Sequence, residues 1–149
     1  MTVQAVLHVA VGVITNPAGA ILITRRAAQT HQGGLWEFPG GKVEAGETVE
    51  AALRRELQEE LDLVVRAAEP WLQVRHAYAR QSVLLDVWRV TAWNGVPWGR
   101  EGQPLAWVLP SALADFAFPA ADEPIIARLR QQEAHIAQHA SSNGMLAAL

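Results

Sequence analysis

The chain has 149 residues, half of them hydrophobic and 18% charged, with a net charge of −3. That is long enough for one domain with a true core, too apolar for a disordered chain, and too acidic to hold duplex nucleic acid through a general basic field. Cysteine is absent, which excludes disulfides, zinc thiolates and thiol nucleophiles.

In chain order, Val3 to Ile14 is apolar and β-branched and predicts a long buried strand. No basic region precedes it, so neither a secretory signal nor a membrane span is expected, and the cytoplasm is the expected location. Asn16-Pro17-Ala18-Gly19 is a turn signal, and Ala20 to Arg26 reads as the returning strand of a hairpin. Ala27 to Gly34 is a polar loop. Leu35 to Phe38 is a short extended piece that Pro39-Gly40-Gly41 breaks.

A helix follows from about Thr48, a plausible N-cap, to Leu61, with Val49, Leu53, Leu57 and Leu61 as its apolar stripe. Trp71 to Tyr78 and Val83 to Trp93 predict a second antiparallel pair, and Asn94-Gly95 after it is a turn signal. Beyond the loop Trp98 to Pro104, Leu105 to Leu109 reads as a last strand and Pro110 to Asp115 as one helical turn. Glu123 to Gln138 reads as an amphipathic helix, with Ile125, Ile126, Leu129 and Ile136 apolar. Residues 1–138 then form one domain and 139–149 a frayed tail. The interleaving of strands and helices predicts an α/β sandwich, a mixed sheet between helices.

Chemistry concentrates in Gly41 to Leu63, GKVEAGETVEAALRRELQEELDL. Glu56 and Glu59 are three apart and Glu56 and Glu60 four apart, so they share one helical face. Two carboxylates about 4 Å apart repel by roughly 1 kcal/mol in water and about 4 kcal/mol near a protein surface. A solvated face neutralised by Arg54 and Arg55 is one reading. A hard divalent cation, Mg²⁺ above all, with phosphate as companion ligand, is the other. Gly40-Gly41 just before offers backbone carbonyls, and Glu47 stands at the helix start, where the macrodipole favours a carboxylate.

These spacings resemble the Nudix box, the signature of hydrolases that act on nucleoside diphosphates linked to another group. One position departs: Asp62 stands where the family has glycine, at a helix end that demands a left-handed residue. The resemblance implies that Glu56, Glu59 and Glu60 bind Mg²⁺, or Mn²⁺ in its place, with the Gly41 carbonyl and with Glu47 as auxiliary. It implies that Arg55 holds the glutamates, and that a metal-activated water attacks phosphorus. Glu56 and Glu101 are both candidates for general base.

Outside the box, ILITRRA, WEFPGGK, PWGREGQP and FPAADEPII resemble the MutT type of that family, bacterial hydrolases of oxidised guanine nucleotides. This implies a nucleotide contact for Arg26, base contact near Phe38, and a metal or base role for Glu101; Lys42, next to the metal site, is placed to meet phosphate or to stand solvated. It implies cleavage of 8-oxo-dGTP to 8-oxo-dGMP and pyrophosphate. Asp122 departs: the MutT type has asparagine there, whose amide reads the oxidised base. An ionised Asp122 can accept N7–H of 8-oxoguanine but cannot donate to O6. It also admits a base with an amino donor, such as cytosine, so a CTP or modified-pyrimidine hydrolase is the alternative, and a non-catalytic binding module a more distant one. An N-cap role for Asp122 is compatible with either. A second departure lies near Arg80-Gln81. The histidines (His8, His31, His76, His135, His139) show no metal-ligand spacing.

Overall fold

The structure, a computed structural model, describes residues 5–30 and 33–147, with side chains through residue 138. His31, the His139 side chain and the first two residues of the predicted Val3 to Ile14 strand lie outside the described residues.

Two sheets form. The first has the order β4 (Gly40–Lys42), β1 (Val6–Ile14), β6 (Ser82–Asn94), β5 (Val64–Ala77). It is mixed, because β1 runs parallel to β6 while the other pairs are antiparallel. The second is antiparallel, in the order β3 (Trp36–Glu37), β2 (Ile21–Arg25), β7 (Leu105–Val108).

The expected opening hairpin does not form as a paired ribbon. Its turn is present, with Gly19 N–H on Asn16 O at 2.9 Å and Gly19 at φ 84°. Beyond a single bridge between Thr15 and Ile21, however, the strands part into different sheets. A strand has two edges, and those of β1 are taken by β4 and β6. Nor does Pro39-Gly40-Gly41 end the extended chain: Gly40 and Gly41 pair with Val11 and Ala10. A Cβ at Gly40 would run into the Ala10 carbonyl, so only glycine allows this approach.

The strand β5 begins at Val64 and not Trp71 because register shifts between Val65 and Ala68 and between Pro70 and Leu72 break its alternation. The helix α1 spans Val49–Leu61 and α2 spans Glu123–Ala147, nine residues past the expected end. Pro110–Asp115 and Ala120–Asp122 are 3₁₀ turns. Ile136, expected on the apolar face of α2, is 67% exposed.

Alternation on the strands divides the core in two. Val11, Val13, Ile21 and Ile23 join Ile125 and Leu129 of α2. Ala10, Ile14 and Leu22 join Leu53, Leu57 and Leu61 of α1. The result is the expected α/β/α sandwich, with neighbouring strand residues feeding opposite layers.

Candidate active site

The acidic helix is anchored at both ends. Thr48 caps its start by accepting the Ala51 N–H at 3.1 Å. At its end Asp62 adopts φ 58°, ψ 33°, the left-handed conformation its position demands. The last-turn carbonyls, of which Glu60 and Leu61 have no acceptor role inside the helix, are met by the loop from Trp98 to Gln103. Leu61 O accepts Trp98 N–H at 3.2 Å, Glu60 O accepts Arg100 N–H at 3.1 Å and Gln103 Nε2–H at 3.0 Å, and Gln58 O accepts Arg100 Nη1–H at 3.1 Å. Gly102 at φ 79° folds this loop back and brings Glu101 towards the helix.

Arg55 organises the acids. Its Nε and Nη2 clamp both oxygens of Glu47 at 2.9 Å each, and its Nη1 reaches Glu56 at 2.9 Å and Glu59 at 3.5 Å. Arg55 lowers the Glu47 pKa to about 2, helped by the Glu44 N–H. Glu56 lies over Gly41: a Cβ there would collide with its carboxylate, which explains the glycine.

Glu60 is different. Burial first, then the charges of Glu56 and Glu37, a hydrogen bond with Glu56, and the charge of Glu101 push its pKa up to about 9.

A cavity of about 730 Å³ runs beside these acids, lined by Gly41, Lys42, Glu56 and Glu60, by Arg26, Phe38 and Asp122, and by Val9 and Leu85 among others. A second hollow of about 340 Å³ shares Arg26, Glu37 and Glu60 with it and adds Glu101. The structure thus gathers most of the sequence-derived candidates around one space. Glu59 is not brought into the lining; its side chain is 59% exposed and faces Arg55. Glu47 is likewise occupied by Arg55 and absent from the lining. Glu101 borders only the smaller hollow.

Phe38 is both core and wall, 5% exposed and stacked on Phe118 at 5.3 Å. Asp122 is 8% exposed and lies inside the Ala120–Asp122 turn, which runs straight into α2, so it does not stand at a free helix start as the N-cap expectation had it. Burial, reinforced by Glu37 and opposed by Arg26, pushes the Asp122 pKa up to about 7.

Glu37 escaped the sequence reading. It pairs with Arg26 at 2.9 Å, borders both hollows, and its own pKa is raised by burial. An acid between Trp36 and Phe38 reads as the solvent side of a strand. The available signal was its place two residues before Pro39-Gly40-Gly41.

The donor chemistry fits a hard divalent ion: carboxylate oxygens of Glu56 and Glu60 crowd one wall with a backbone glycine beside them. Among the described residues no three His, Asp or Glu side chains converge on a single point. The Glu56–Glu60 hydrogen bond and the pull of Arg55 on Glu47, Glu56 and Glu59 account for this. Also among the described residues, no helix is long and apolar enough to cross a membrane.

Fold and site together define a hydrolase whose acidic helix end borders a substrate-sized cavity. The NUDIX domain family matches residues 10–128, and the chain belongs to this family of hydrolases. Such hydrolases generally use a divalent metal. Among its relatives, the 8-oxo-dGTP diphosphatase of Escherichia coli (strain K12) is 43% identical over 125 residues, covering 84% of this chain and 97% of the relative. The CTP pyrophosphohydrolase of the same organism is 35% identical over 116 residues, covering 78% and 86%. A solved structure from work on MutT of Aliivibrio salmonicida and Vibrio cholerae superposes with a TM-score of 0.71 at 39% identity, covering 83% of this chain and 94% of that one.

Proposed function

We propose that the protein hydrolyses 8-oxo-dGTP to 8-oxo-dGMP and pyrophosphate, with Mg²⁺ as its ion, in the cytoplasmic nucleotide pool. The observation that carries this reading is one cavity combining two kinds of wall. Glu56, Glu60, Gly41 and Lys42 suit metal and phosphate, and Phe38 and buried Asp122 suit a base. The 43% identity to an 8-oxo-dGTP diphosphatase supports it.

Glu56, Glu60 and the Gly41 carbonyl would hold the ion, with Glu59 and Glu101 joining if they swing from their present positions. The ion, when bound, lowers the pKa of water and offsets charge on the leaving phosphate. Arg55 keeps Glu56 oriented through its 2.9 Å contact and is itself held by Glu47. Arg26, at the junction of the two hollows, stands where a guanidinium can meet phosphate or stack on a base. Asp122 accepts N7–H of the oxidised base when ionised, and when protonated also donates to O6. The water oxygen bonds to a phosphorus of the Pα–O–Pβ bridge as that phosphorus loses its bond to the bridging oxygen, which separates 8-oxo-dGMP from pyrophosphate; either Glu56 or Glu101 takes the water's proton.

A second reading, hydrolysis of CTP, draws on Asp122 as an acceptor for an exocyclic amino group and on the 35% identity to a CTP pyrophosphohydrolase. Turnover of 8-oxo-dGTP, dGTP and CTP with Mg²⁺ separates them. The proposal expects the highest kcat/KM for 8-oxo-dGTP; equal values for 8-oxo-dGTP and dGTP would sink it.

A further inference from the structure

Tyr78 lies one residue past β5 and belongs to neither the acidic helix nor the glycine-rich strand. Its phenol oxygen accepts the N–H of Ala121 at 3.0 Å, from 43 residues away in the chain. That N–H is among the first of the Ala120–Asp122 turn, and such groups have no acceptor within a helical turn. The bond from Asp122 N–H to Pro119 O, at 3.0 Å, closes the turn itself. Tyr78 therefore caps, from just beyond the end of β5, the turn that carries Asp122.

The tyrosine is fixed in turn. Its ring packs edge-on against His76 with centroids 4.4 Å apart, and its N–H donates to Gln81 O at 3.0 Å. Tyr78, Ala121 and Asp122 all line the 730 Å³ cavity, so this one hydrogen bond ties two of its walls together. A phenol that accepts from an amide keeps its own proton to donate. Among the described residues that proton has no protein acceptor.

We infer that Tyr78 is a positioning residue that sets base preference: its hydroxyl holds the turn that carries Asp122 against the cavity. The inference rests on the nucleotide reading above, and it makes the position of Asp122 depend on a residue from a second element.

Tyr78→Phe removes only the hydroxyl. With Mg²⁺ and the full chain, KM for 8-oxo-dGTP should rise about 5- to 10-fold, the loss of one or two modest hydrogen bonds. The preference over dGTP should shrink by a similar factor, with kcat within about 2-fold. Amide exchange at Ala121 should quicken. Unchanged KM and unchanged exchange overturn the inference. So does an equal loss of kcat for both nucleotides, which would mark a purely structural role. If the wild type itself shows no preference for 8-oxo-dGTP, the substrate reading falls separately. Tyr78 is then judged on KM for whichever nucleotide is turned over fastest: a rise upholds it, no change overturns it.

Discussion

Glu60 sits where burial, Glu56, Glu37 and Glu101 all oppose its ionisation, and that combination is stable as an anion only with a cation beside it. Glu60→Gln keeps the shape and removes the charge. Activity should fall by at least about 100-fold, while the thermal midpoint stays level or rises, since an acid in an acidic cluster gives the fold nothing. Wild-type turnover in this variant would show the ion to be held elsewhere. Asp122 is buried for a different purpose and tests differently. Its folded pKa of about 7 lies above its ordinary 3.8, so the folded protein keeps a proton that the unfolded chain releases in between. Its contribution is therefore full below about pH 4 and is lost as pH rises through about 7, with a slope of at most about 1.4 kcal/mol per unit. In urea titrations at pH 5 and pH 8, Asp122→Asn should gain stability over the wild type at the higher pH; a gap independent of pH would refute this. The acids of the helix were legible because spacings of three and four place them on one face. Glu37 and Tyr78 were not, because each matters through partners distant in the chain, Arg26 and Glu60 for Glu37 and Ala121 for Tyr78, which only folding reveals.

The helix α1 and the loop from Trp98 to Gln103 act as one element, since the loop satisfies the carbonyls that the helix leaves open. Their junction is Asp62, whose left-handed backbone is the single such non-glycine case among the described residues. The family's glycine at this position implied that conformation, and the structure has it. Asp bears it better than most residues, and Trp98 Nε1–H reaches its carboxylate at 3.4 Å. Asp62→Gly should therefore stabilise only modestly, by a few tenths to about 1 kcal/mol in urea unfolding, whereas Asp62→Val should cost more than about 1 kcal/mol. A loss of stability in the glycine variant would mean that the Trp98 contact outweighs backbone strain. Elements with unbroken periodicity, such as α1, were read within a residue of their ends. The early half of β5 was missed because its bulges and Pro70 erase the period of two on which a strand is recognised.

At the scale of the whole molecule, the two halves of the cavity belong to different cores. The acid wall rides on α1, whose Leu57 is fully buried against Ala10, Ile14 and Leu22. The wall proposed to hold the base rides on Phe38, Ala121 and the start of α2, where Ile125 and Leu129 share a core with Val11, Ile21 and Ile23. The sheets between them hold the two walls at a fixed separation, because a close-packed interior transmits displacement and does not absorb it. Removing a buried leucine from either core should cost about 2–5 kcal/mol, so Leu57→Ala and Leu129→Ala are comparable insults to stability. Their kinetic consequences should part. Leu57→Ala lets the acidic helix shift and should lower kcat, by up to about 100-fold if the carboxylates move by 1 Å, with little change in KM. Leu129→Ala loosens the Asp122 wall and should raise KM and erode preference between bases while leaving kcat close to wild type. Steady-state kinetics on both variants, well below their unfolding midpoints, decide the matter. If both variants lose kcat and KM in the same proportion, the two cores are one mechanical unit and chemistry and base choice share a single support.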